Sequence, residues 1–187
     1  MHNPIIRAVV APNLALQHLT TRQPDLAMIE VAIVAFNDTA WIQQSLTATP
    51  NLLRGAISGL SDAVAEGTRL DLALVRGIEA LQGPTRRNEN TPVLILLTDG
   101  LPNRVPTPLP RGTQEDTILD LALQATNLGF RVYAIGVGRP GGPDPADRIN
   151  PDLLRAVASE PSMYYQTPDA EDLERIYAEI AQVIRCP

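Results

Sequence analysis

The sequence predicts an α/β fold: a doubly wound, mostly parallel sheet with helices on both faces and one antiparallel edge strand. Three observations predict it. Val93 to Leu97 is an unbroken aliphatic run that ends in Thr98-Asp99-Gly100, and a run of that kind reads as a strand buried on both faces, as parallel sheets require. Met28 to Phe36 is rich in β-branched residues and meets Asn37-Asp38 at once, a connection so short that only an antiparallel hairpin can use it. In the second half of the chain strands and helices alternate, which builds parallel strands joined by crossover helices.

Each element follows from its own residues. Within 4–19, Ile5, Val9, Leu16 and Leu19 fall at roughly helical spacing, which predicts an amphipathic helix kinked or split at Pro12. After the polar break 20–24 comes the strand ending at Phe36, then a more polar strand from Ala40 to Leu46 at the sheet edge. Pro50 to Leu60 reads as a short helix, with Thr49 placed to cap it and Pro50 at its first position. Leu74, Val75, Ile78 and Leu81 form one apolar stripe of the next helix, which Gly83 stops.

Beyond Asp99, residues 101–112 carry four prolines and no periodicity, the composition of a long surface loop where specificity commonly resides. Gln114 to Leu128 is a helix capped by Thr113 and ended by Gly129, and Phe130 to Val137 is a second buried strand. A Pro- and Gly-rich loop spans 139–145. A short helix over 151–159 has Asn150 at its cap, a short strand covers 163–166, and the last helix aligns Leu173, Ile176, Tyr177, Ile180, Val183 and Ile184 on one face.

Composition narrows the function. The chain has 187 residues, enough for one domain spanning 1–187 with a substantial core. Aromatics are only 4%, so aliphatic side chains carry the packing. The net charge is −6, the fifteen basic residues are all Arg, and no basic cluster exceeds Arg86-Arg87. That argues against nucleic acid as a partner. The one cysteine, Cys186, excludes an internal disulfide framework without fixing the compartment. No apolar run is long enough to span a membrane.

Asp99 is the first candidate for chemistry, because ligands in open α/β sheets bind outside the carboxyl ends of the strands. Asp-Gly is also a common turn pair, and a turn is the plainer reading of the same residues. Thr68, just ahead of a helix, reads by itself as a helix N-cap. Glu115, Asp116, Asp144 and Asp147 could rim such a site, though solvated loop charge accounts for each of them.

Five stretches in this order and spacing give the chain a family resemblance: Val31–Phe36, Glu66-Gly67-Thr68, Val93–Gly100, Arg131–Gly138, and Met163–Gln166 before a helix opening at Asp169. Together they resemble a von Willebrand factor A-type domain, the Rossmann-like fold shared with integrin inserted domains, from its first helix to its last. The resemblance implies a metal-ion-dependent adhesion site that uses an Asp-x-Ser-x-Ser motif after the first strand, a Thr from a second loop and an Asp from a third. Thr68 matches the Thr and Asp99 the third-loop Asp. A hydroxyl and a carboxylate are hard oxygen donors suited to Mg²⁺ or Mn²⁺, and an open position on the ion takes a carboxylate from a protein partner.

The sequence departs from that pattern in one respect. No Asp-x-Ser-x-Ser occurs, and no hydrophobic strand precedes the first helix. The expectation is a chain that begins inside the domain, with the first strand and first metal loop cut away. Unpaired buried backbone groups cost about 1–3 kcal/mol each, against a total stability of about 5–15 kcal/mol. Such a sheet should be unstable or rearranged so that its halves close up, and should hold a divalent ion weakly or not at all. The function implied is a non-catalytic, cation-dependent protein-binding module. A metal-independent interaction domain is the alternative. A Mg²⁺-dependent phosphohydrolase is a third reading, disfavoured by the lack of any Lys and of a Walker-type loop.

Overall fold

The computed structural model describes residues 30–60, 67–84, 91–102, 112–138, 148–167 and 172–183, together with the backbone of 7–9. Among the described residues, six strands and five α-helices follow in order: β1 (Arg7–Val9), β2 (Val31–Phe36), β3 (Ala40–Thr47), α1 (Pro50–Ser58), α2 (Leu70–Leu81), β4 (Val93–Thr98), α3 (Gln114–Asn127), β5 (Arg131–Val137), α4 (Pro151–Val157), β6 (Tyr164–Thr167) and α5 (Leu173–Val183). The fold is α/β, with crossover helices linking parallel strands.

The expected α/β architecture is present, with parallel and antiparallel pairing divided between two groups of strands. The described strands hydrogen-bond as two three-stranded sheets, β1-β2-β3 and β4-β5-β6. The second is parallel throughout, with Val93 opposite Arg131 and Ala134 opposite Tyr164. The first is antiparallel throughout; β3 forms the predicted hairpin with β2, and its register slips twice between Val31 and Val34.

The helix expected over 4–19 is overturned at Arg7–Val9. These residues form β1, antiparallel to the last three residues of β2, with Val9 opposite Val34, and β1 also runs close to β4. The reason is backbone accounting. Ile33 to Phe36 are buried, and a buried strand edge needs hydrogen-bond partners that a helix would not supply. The rest of the expected helix, and residues 61–66, 103–111 and 139–147, lie outside the described residues.

The core has three parts. On one face, Leu94 and Leu96 of β4 and Val132 and Ala134 of β5 pack with Leu70, Leu74 and Ile78 of α2, Ile118 of α3 and Leu154 of α4. On the other, Tyr133 and Ile135 meet Leu173, Ile176, Tyr177 and Ile180 of α5. A third cluster joins Ile33 and Ala35 of β2 to Leu53 of α1. β4 was expected to be buried on both faces, but Val93, Ile95 and Leu97 are only half-buried. Gly77 gives α2 its close seat on the sheet, since a Cβ there would come within 2.7 Å of Leu94 Cδ1.

Helix ends follow their sequence signals unevenly. Thr113 accepts from Asp116 N–H while the Asp116 carboxylate accepts from Thr113 N–H, a complete capping box. Asn150 Oδ1 accepts from Leu153 N–H at 3.0 Å. Thr49 sits at the N-cap of α1, but its side chain makes no cap hydrogen bond.

Candidate metal-ion site

The two candidate residues stand on separate chain segments, one beside the exit of β2 and the other at the exit of β4. At the exit of β2, Asn37 Oδ1 accepts from both Thr39 N–H (2.9 Å) and the Thr39 hydroxyl (3.1 Å), closing a tight turn over Asp38. The loop before α2 lies on that turn. Arg69 N–H donates to Asn37 O at 2.8 Å, and Gly67, at φ +115°, is packed directly on Asp38. Thr68, between them, is fully buried. It is not the N-cap of α2; that position belongs to Arg69, which makes no side-chain cap.

At the exit of β4, Thr98 Oγ1 donates to Gly100 O (3.2 Å) and accepts from Gly100 N–H (3.4 Å), holding the turn on which half-buried Asp99 stands. Gly100 is not among the glycines with positive φ. The Thr98 hydroxyl closes the turn.

Helix geometry brings the two exits to one end of the fold. The start of α2 is fixed beside β2, and the helix runs back toward the beginning of β4, seating Gly77 on Leu94. At about 1.5 Å per helical residue, Arg69 stands roughly 12 Å above Gly77. At about 3.3 Å per strand residue, Thr98 stands roughly 13 Å above Leu94. Thr68 and Asp99 therefore come out at a similar height.

Arg69 and Asp71 were not anticipated from the sequence. Arg69 Nε donates to Asp71 Oδ1 at 2.8 Å and Nη2 to Oδ2 at 2.7 Å, a two-point bond. The pair is largely sequestered, with side chains 17% and 5% exposed. Hydrogen bonding to Asp71 raises the guanidinium above its ordinary range, with burial acting against it and Asp38 adding a smaller upward push. No helical pattern could have signalled this pair, because residues two apart on a helix do not face each other. Of the acidic residues considered for the rim, Glu115 accepts from Asn150 Nδ2 at 2.9 Å and Asp116 belongs to the capping box. Asp144 and Asp147 lie outside the described residues.

Thr68 and Asp99 offer a hydroxyl and a carboxylate, a donor set that fits a hard divalent ion in kind. Among the described residues, no group of three His, Cys, Asp or Glu could hold a metal on its own. Among the described residues, Thr68 and Asp99 are the two that match the donor pattern read in the sequence.

Comparison with known proteins agrees with the fold. Mouse matrilin-2 is 23% identical over 133 residues, which is 71% of this chain and 11% of that protein. Chicken matrilin-1 is 29% identical over 106 residues, 56% of this chain and 17% of that protein. The chain therefore spans a small fraction of these relatives. Among solved structures, proximal thread matrix protein 1 from the mussel byssus, with a zinc-occupied MIDAS motif, matches with a TM-score of 0.66 at 21% identity. That match covers 91% of this chain and 39% of the mussel protein. The sequence profile of the von Willebrand factor type A domain matches residues 16–179, and the chain belongs to that family.

Proposed function

We propose that residues 1–187 form one non-catalytic protein-binding domain whose divalent-cation site uses Thr68 and Asp99 as ligands. The ion, Mg²⁺ or Mn²⁺, takes a carboxylate from a protein partner in an open coordination position. The observation that carries this reading is the buried Thr68, held beside the exit of β2. The zinc-occupied motif of the mussel protein supports it by analogy of fold. When bound, the ion supplies Lewis-acid attraction for the partner's carboxylate. The chain's own part is to present one hydroxyl and one carboxylate at the end of a rigid sheet.

The alternative is a domain that binds its partner without metal. The absence of a three-residue acid, His or Cys cluster among the described residues favours it. An enzymatic role has no such support.

Calorimetric titration of the whole chain with Mg²⁺, then with Mn²⁺, separates the two readings. The expected result is binding weaker than micromolar that Asp99→Ala abolishes and Thr68→Ala weakens about tenfold or more, since each removes one of the few oxygen ligands. No heat at millimolar ion, with melting temperatures unchanged by chelator, would leave the metal-independent reading in place.

A further inference from the structure

The residue that follows Thr68 carries a positive charge, which is an unfavourable neighbour for a divalent cation. Arg69 is adjacent in sequence, its backbone is pinned to Asn37 O, and its guanidinium is largely sequestered. Consecutive Cα atoms are about 3.8 Å apart, which keeps the guanidinium within roughly one Debye length, ~10 Å, of the Thr68 side chain. Burial weakens solvent screening further. Left alone, this cation would repel an incoming Mg²⁺.

Asp71 meets that cation with matched geometry. Both of its carboxylate oxygens accept from Arg69, at 2.8 and 2.7 Å, and its side chain is 5% exposed. The pair is neutral as a unit. Asp38, a further acidic neighbour of Arg69, is exposed and more strongly screened. Asp71 also lies in the first turn of α2, where a negative charge is favoured by the helix dipole.

We infer that Asp71 is the charge-compensating residue of the cation site: it cancels the guanidinium of Arg69 beside Thr68 so that the Thr68–Asp99 corner can accept a divalent ion. This inference rests on the metal-site reading above. It assigns Asp71 no contact with the ion. The side chain acts through Arg69, and it is a positioning and charge-setting residue.

The two single substitutions should move ion affinity in opposite directions, which a merely structural role would not do. Both break the same ion pair, so a structural effect lowers affinity in both. Asp71→Asn leaves the guanidinium uncompensated and should weaken Mg²⁺ binding about tenfold, the order expected for one unit charge acting on a divalent ion at roughly 10 Å. The loss should grow at low ionic strength. Arg69→Gln leaves the carboxylate and should tighten binding by a similar factor. The double variant Arg69→Gln/Asp71→Asn should return to within about threefold of the parent.

Mg²⁺ titration calorimetry at two salt concentrations reads all four proteins, with thermal melts in chelator to follow folding. If Asp71→Asn does not fold, the sign of the change in Arg69→Gln decides. Weakened binding in both single variants, or a double variant as weak as Asp71→Asn, overturns the inference while the metal site stands. A parent chain that binds no Mg²⁺ removes the metal-site reading and this inference with it.

Discussion

Gly67 rests on Asp38 so closely that a Cβ at Gly67 would come 2.7 Å from the Asp38 backbone nitrogen and 2.8 Å from its Cα. Its φ of +115° lies where side chains other than glycine's are strained. The atoms it would strike belong to backbone and cannot swing aside. Gly67→Ala should therefore cost at least about 2 kcal/mol, combining strain of about 1–3 kcal/mol with the contact itself. Urea unfolding of the parent and the variant measures it; a change under about 0.5 kcal/mol, the scatter of surface substitutions, would contradict the contact.

The two threonines placed before helices should differ when removed. Thr113 completes a capping box with Asp116, and these hydrogen bonds hold the Asp116 carboxyl below its usual range. Thr49 occupies the equivalent position before α1 with no cap hydrogen bond. Thr113→Ala should lower stability by about 1 kcal/mol, while Thr49→Ala should stay within about 0.5 kcal/mol. Equal losses in denaturant midpoint would show that the Thr113 cap does not act as its geometry implies.

These contrasts mark what the sequence could reveal. α2, α3 and α5, and strands β2, β4 and β5, were legible because each has a strong apolar period or run, as with Leu173, Ile176, Tyr177 and Ile180. Asp99 was legible as a carboxylate after a buried strand. Arg7–Val9 was not: its spacing is helical, and only the buried edge of β2, distant in sequence, draws it into a strand. The Arg69–Asp71 pair was also hidden, because the fork depends on the non-helical backbone of Arg69, φ −90° and ψ 75°. Local pattern finds elements; contacts fixed by tertiary packing leave no local pattern.

Tyr133 buries a hydroxyl on the α5 face of β5 that finds no hydrogen-bond partner among the described residues. A buried polar group left unsatisfied costs about 1–3 kcal/mol relative to a paired one. Tyr133→Phe removes that group and keeps the ring, so it should leave stability unchanged or raise it by about 1 kcal/mol. A clear loss in the thermal midpoint would mean the hydroxyl is satisfied in solution, by an ordered water for example.

The buried phenols also set how the fold responds to alkali. Burial pushes Tyr177 well above its ordinary value, and Tyr133, Tyr164 and Tyr165 are raised too, each with burial as the leading cause. In the unfolded chain these groups lose their protons near pH 10. Above that pH the unfolded state binds fewer protons than the folded one, so stability falls as pH rises. Below it both states are protonated and the term is constant. Urea midpoints should therefore be flat in this respect from pH 7 to 9 and drop between about pH 10 and 11. Tyr177→Phe should blunt the drop, because it deletes the phenol that gains most from staying neutral in the core. If the variant and the parent lose stability in parallel through that range, ionisation of Tyr177 is not what opens the helix α5 face.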